Sequence, residues 1–145
     1  MKKNILLILP AKNFNEIEYT IIKNTIEKED FNIFIASDAQ SLCIGKNGMK
    51  VRPDVSLYNI HESNFCCIIF IGGSGVKNYW SNKDLNGYSN EFNKAGKLVT
   101  AICSAPVILA RAGLLKDIEA VCYPDDKIEL EKEGAIYLDQ PVVIS

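Results

Sequence analysis

The sequence predicts an α/β fold with a mostly parallel sheet and helices on both of its faces. Continuous apolar runs of strand length occupy residues 4–9 and 65–71, and a strand apolar on both faces is one covered on both faces. Segments with apolar residues at helical spacing alternate with such runs, the rhythm of βαβ units. A chain of 145 residues, 48% apolar and 23% charged, has enough apolar mass for one core, so a single domain over residues 1–145 is expected.

Residues 4–9 form the first strand. A polar turn follows, then Ile17, Ile21, Ile22 and Ile26 at helical spacing, and Glu27-Lys28-Glu29-Asp30 ends that helix. Residues 31–36 return to a β-branched and aromatic run, stopped by Ser37-Asp38. A right-handed crossover would join these two strands in parallel. Residues 42–55 carry short strand signals around Gly45-Lys46-Asn47-Gly48, which predicts a hairpin rather than a helix. Residues 65–71 are the strongest strand, closed by Gly72-Gly73-Ser74-Gly75. A helix over 84–95 stops at Gly96, a strand covers 98–102, and a helix over 104–112 has Pro106 in its first turn and Gly113 after it. The last third repeats the rhythm with a strand at 120–122, a charged helix at 125–133 capped by Gly134, and extended segments at 135–138 and 142–145. The final segment reads either as an edge strand or as the point where a longer fold is cut short.

Sixteen basic and eighteen acidic residues give a net charge of −2, with the signs interspersed, so no basic stripe exists for nucleic acid. No apolar run approaches the roughly 20 residues that span a bilayer. Met1-Lys2-Lys3 leads into an apolar run without a small-residue cleavage site, and a cytoplasmic protein is expected. The cysteines, Cys43, Cys66, Cys67, Cys103 and Cys122, are odd in number and sit in apolar surroundings, which favours free thiols over a disulfide framework. With His61 the only histidine and no Cys-x-x-Cys, no metal is expected. The stretch 72–75 lacks both the Lys-Ser/Thr of a P-loop and the full dinucleotide fingerprint, so no nucleotide cofactor is expected.

In an open parallel sheet, sites form beyond the carboxyl ends of strands. Three candidates share that rim: 13–18, 72–75, and Cys103. In Thr100-Ala101-Ile102-Cys103-Ser104-Ala105-Pro106 a cysteine stands between strand and helix with alanine two residues to either side. Small residues are needed there because a nucleophile elbow brings strand and helix backbones close together. A thiol facing a helix start is driven towards thiolate, the reactive form; the plain alternative is a small buried filler. Gly72 and Gly73 would turn the chain tightly and, with the amide of Ser104, present an oxyanion hole, unless they merely end a strand. Glu16 and Glu18, two residues apart at a helix start, point to different faces. One is expected to be solvated and the other to enter the site, where a protonated carboxyl would donate to sulfur.

These segments together resemble the ThiJ/PfpI superfamily: Ile5-Leu6-Leu7-Ile8-Leu9 with Phe14-Asn15-Glu16-Ile17-Glu18, Ile69-Phe70-Ile71-Gly72-Gly73, Ala101 to Pro106 with Leu109 and Ala112-Gly113-Leu114-Leu115, and Tyr123-Pro124. The resemblance implies a flavodoxin-like three-layer sandwich, commonly a homodimer. In it Cys103 is the elbow cysteine, Glu18 its protonated partner, and Gly73 and Ser104 the backbone donors, with Gly72, Ser74 and Tyr123 lining the site. Protease-like members carry a histidine directly after the cysteine, where this chain has Ser104, so an intracellular protease or amidase is the disfavoured reading. Members also continue past residue 145 with a further strand and helix, which this fold is expected to lack. The function expected is action on small reactive carbonyls, of glyoxalase or deglycase type, or sensing of oxidants through Cys103. The alternative is a binding module that kept the fold without the chemistry.

Overall fold

The structure is a computed structural model that describes residues 1–145. It opens with strand β1 (Lys3–Ile8), a short strand β2 (Lys12–Phe14) and helix α1 (Glu16–Glu27). Asn15 starts that helix by a physical device visible in the sequence: its side-chain oxygen accepts from the amides of Ile17 and Glu18, both at 3.1 Å, satisfying donors that a helix start leaves free. Next come β3 (Phe31–Ser37), the hairpin β4 (Cys43–Gly45) and β5 (Lys50–Val51), β6 (Val55–Ser56) and β7 (Cys67–Phe70). The chain continues through α2 (Lys83–Lys94), β8 (Leu98–Ala101), α3 (Pro106–Arg111), β9 (Glu119–Ala120), α4 (Lys127–Lys132) and β10 (Ile136–Tyr137).

The main sheet has the order β6-β3-β1-β7-β8 with every pairing parallel. Because side chains alternate across a strand, each face has its own core. Leu6, Ile8, Ile68 and Phe70 face one way and pack with Leu85 and Phe92 of α2 and Ile108 of α3. Leu7, Leu9, Ile35 and Ile71 face the other way, against Phe14, Tyr19 of α1 and Cys43. The result is the three-layer α/β sandwich expected, with β1 and β7 buried on both faces.

Elsewhere the structure corrects the reading. The hairpin at 42–55 forms, but β4 also pairs with β2 in a separate small sheet beside the main one. Strands β9 and β10 pair only with each other. Residues 142–145 are not a strand; the hydroxyl of Ser145 donates to the carbonyl of Glu119 at 3.0 Å. The helix expected from residue 104 begins at Pro106, because residues 103 and 104 form a turn closed by the Ala105 amide on the Ile102 carbonyl at 3.0 Å.

Candidate active site

Parallel register brings three strand ends level: Ile8 of β1 lies beside Phe70 of β7, and Phe70 beside Ala101 of β8. Whatever follows these residues meets on one rim. After β8, the Ile102 amide makes one more bond to Phe70, at 3.2 Å, and the chain then breaks from the strand with Cys103 at φ 61°. A left-handed conformation is strained for a residue with a side chain, by on the order of 1–3 kcal/mol. The outcome is an elbow that lifts the thiol out of the sheet.

Gly72 explains how the carboxylate reaches it. A Cβ at Gly72 would stand 2.6 Å from Cys103 Cβ and 2.8 Å from Glu18 Oε1, so only the bare backbone leaves room for the two side chains to converge. Glu18 Oε1 in turn accepts from the Gly72 amide at 3.0 Å. That amide is therefore committed to Glu18 and is not free for an oxyanion. Gly73 has φ 116°, a conformation that suits glycine.

Electrostatics tie the pair together. Burial pushes the Glu18 carboxyl above the usual range, partly offset by the Gly72 amide and by the Cys103 thiol. Burial also pushes the Cys103 thiol up, and the nearby Glu18 charge adds to this; the Ser104 hydroxyl and the amides of Gly73 and Ser104 oppose it. The expectation of a thiolate favoured by a helix start is thus corrected: α3 is a six-residue helix that begins beyond the turn, and burial is the largest influence on the thiol. Among the other thiols, burial drives Cys67 to about 12 and Cys122 to about 11, and Cys43 is fully buried.

Cys103, Glu18, Gly72, Gly73 and Ser104 thus meet at one place. Tyr123 reaches the elbow through its backbone, its amide donating to the Cys103 carbonyl at 2.7 Å, while its ring is exposed. Ser74 is exposed at the start of a 3-10 helix, Ser74–Tyr79. His61 is exposed ahead of β7, at the opposite end of the sheet from the rim. Glu16, expected in solvent, is half-buried: its two oxygens accept from the amides of Asn47 at 2.9 Å and Met49 at 2.7 Å, pinning the β4–β5 turn. Glu18, the partner that the resemblance implies for Cys103, enters the site while only partly buried.

Residues 3–145 match the model of the DJ-1/PfpI family. The chain belongs to the DJ-1/PfpI family. It is 34% identical to an uncharacterized protein of Methanocaldococcus jannaschii, over 97% of this chain and 70% of that one. It is 26% identical to a deglycase of Pyrococcus horikoshii, over 95% of this chain and 83% of the relative. A glutathione-independent glyoxalase of Caenorhabditis elegans is also 26% identical, over 99% and 77%. The crystal structure of a ThiJ/PfpI domain protein from Brachyspira murdochii superposes with a TM-score of 0.95 at 26% identity, covering 99% of this chain and 84% of that one.

One residue at the site of this DJ-1/PfpI chain has no local signature. The Trp80 indole donates to the Ser104 carbonyl at 2.8 Å. The two residues are 24 apart in sequence, and neither apolar periodicity nor turn chemistry links them.

Proposed function

We propose that the chain is a cysteine-dependent enzyme acting on small reactive carbonyls, of glyoxalase or deglycase type. The observation that carries this reading is the meeting of Cys103 and Glu18 across Gly72, with amides beside the sulfur. Cys103 is the nucleophile: its thiolate adds to the aldehyde carbon of a 2-oxoaldehyde such as methylglyoxal. The amides of Gly73 and Ser104 hold the resulting oxyanion, and a proton makes it a hemithioacetal. Glu18 moves the proton from the former aldehyde carbon to the neighbouring carbon while the hydroxyl proton passes to that neighbour's oxygen, through an enediol, which leaves a thioester on Cys103. Water hydrolyses the thioester to lactate and frees the thiol. The sequence is an isomerisation followed by hydrolysis, so no external oxidant enters. Gly72, Ser74 and Tyr123 line the approach, and all five cysteines are free, which suits a reducing cytoplasm.

Peptide hydrolysis is not proposed. It needs a proton donor for a leaving amine, worth typically 10²- to 10⁴-fold, and the position after Cys103 is Ser104, with His61 at the far end of the sheet. The test follows lactate formed from methylglyoxal, beside a fluorogenic peptide. Lactate with no peptide cleavage is expected; robust cleavage of the peptide overturns the reading. If neither substrate turns over while peroxide readily adds two oxygens to Cys103, the chain is an oxidant sensor, the same donors holding the sulfinate.

Glu18→Gln separates proton transfer from thiol reactivity. Burial is the larger cause that holds the Cys103 thiol up, and removing the carboxylate removes the charge that adds to it, so alkylation of Cys103 near neutral pH is expected to quicken while lactate formation falls by about 10²- to 10⁴-fold. Stability carries a matching sign. A carboxyl raised on folding contributes stability that is complete below its ordinary unfolded value, about 4.3, and is lost as pH rises through the folded value. The melting temperature of Glu18→Gln is therefore expected to gain on the wild type as pH rises and to lose that advantage in acid. Identical alkylation profiles and parallel melting curves would make Glu18 no more than a helix-start acid.

A homodimer is proposed as well. Light scattering of the intact chain is expected to give twice its mass of 16.1 kDa, and a value of 16.1 kDa across the working concentration range would overturn it.

A further inference from the structure

The elbow leaves two carbonyls, those of Cys103 and Ser104, on either side of the Ser104 Cα. Each is bonded from outside the elbow. The Cys103 carbonyl takes the Tyr123 amide, and because the peptide bond is trans, the Ser104 amide of that same plane points the opposite way, towards the sulfur. The Ser104 carbonyl belongs to the next plane. Ser104 is only 3% exposed, and no backbone amide donates to its carbonyl: the amide of Ile108, the usual partner four residues on, bonds Ala105 at 2.9 Å instead. The indole N–H of Trp80 supplies the donor, at 2.8 Å.

Trp80 is itself braced. The Lys77 Nζ stands 5.8 Å from the ring centroid and the Arg111 guanidinium carbon 5.3 Å from it, distances at which a cation is attracted to an aromatic face. Arg111 is held by Ser81 Oγ and Glu129 Oε2, each at 2.7 Å, and Lys77 lies 3.8 Å from the buried carboxylate of Asp126. Two cations anchored on neighbouring segments thus hold the indole in place. Its N–H arrives at the elbow in a fixed direction.

We propose that Trp80 is a positioning residue for Cys103, its indole N–H fixing the Ser104–Ala105 peptide plane and with it the Ser104 backbone, so that the Ser104 hydroxyl stays aimed at the sulfur and at any oxygen that forms beside it, while the Ser104 amide is held from the other side by Tyr123. The inference rests on the reading of Cys103 as the reacting group. Without the indole donor, a buried carbonyl is left without a partner, and turning about the Ser104 backbone to reach the Ile108 amide satisfies it. That turn takes the Ile108 amide from Ala105 and moves the Ser104 side chain with its hydroxyl, while the Ser104 amide stays in the plane held by Tyr123.

The test is Trp80→Phe, which keeps an aromatic face for Lys77 and Arg111 and deletes the N–H. Alkylation of Cys103 is measured against pH, beside thermal melting. The rate near neutral pH is expected to fall about 3- to 10-fold, as misplacement of a supporting group by a fraction of an ångström does, and the midpoint of the profile to move to higher pH. A lower melting temperature with an unchanged rate and midpoint makes Trp80 a packing residue and overturns the proposal. Arg111→Leu, which spares the N–H, is expected to melt lower and keep the wild-type midpoint; a midpoint shift equal to that of Trp80→Phe would assign the effect to the cation and overturn the indole's role. Should Trp80→Phe not fold, the wild type still decides. Trp80 is the only tryptophan, and its fluorescence is expected to titrate with the Cys103 midpoint, whereas a flat signal through that midpoint overturns the coupling. If Cys103 in the wild type is no more reactive than the other thiols, the functional reading itself falls, an outcome distinct from all of these.

Discussion

Cys103→Ser is expected to lower lactate formation from methylglyoxal roughly a thousandfold or more, because a serine hydroxyl ionises far less readily than a thiol and is far less nucleophilic than a thiolate. The same substitution is expected to remove the first equivalent of alkylation: Cys43 and Cys67 are buried, burial drives Cys67 and Cys122 to about 12 and about 11, and the partly buried Cys66 stands at the amino end of β7, away from the donors of the elbow. Serine fills nearly the same volume at a strained turn already held by the Tyr123 amide, so the melting temperature is expected to move little. That combination matters: lost turnover in a chain that still folds assigns the chemistry to the sulfur. Turnover retained above a tenth of the wild type would place the reaction elsewhere.

The second large effect lies in the glycine turn. Gly73→Ala is expected to lower stability by about 3 kcal/mol, which corresponds to roughly 10 °C in the melting temperature for a domain of this size. Two causes act together. At φ 116° a side chain is strained, by on the order of 1–3 kcal/mol. The added carbon would also lie 2.5 Å from the Asn13 carbonyl oxygen and 2.6 Å from the Asn15 nitrogen, and backbone atoms do not yield as the tip of a side chain does. Because Asn15 caps α1 and so positions Glu18, alkylation of Cys103 is expected to change with it. A variant that melts within about 2 °C of the wild type would mean that the turn relaxes freely and that its shape is not what holds the amide of Gly73 at the sulfur.

Much of this was written in local sequence. The run at 65–71, the helical spacing of Ile17 to Ile26 and the small residues around Cys103 are patterns that a single segment carries by itself, and each formed nearly where it was expected. Convergence of the three rim segments was also legible, because parallel strands of similar length end together. Glu18 could be paired with Cys103 on the strength of the family resemblance.

What the segments could not carry was decided by contacts between distant parts of the chain. Glu16 and Glu18 have the same chemistry at the same helix start; which of them meets the sulfur depends on the β4–β5 turn, 31 and 33 residues away, capturing Glu16. Residues 142–145 read as a strand by composition, yet a strand exists only when a neighbour offers its backbone, and none does along that stretch. The direction in which the Cys103 thiol shifts was set by burial and by Glu18, and the short helix expected to oppose them begins two residues further on. Trp80 became part of the site because the elbow left the Ser104 carbonyl without a helical partner and the fold brought an indole N–H to it. Periodicity and spacing report what a segment does with itself. Satisfying buried polar groups is a property of the assembled fold, and it is there that tertiary structure added what the sequence alone did not determine.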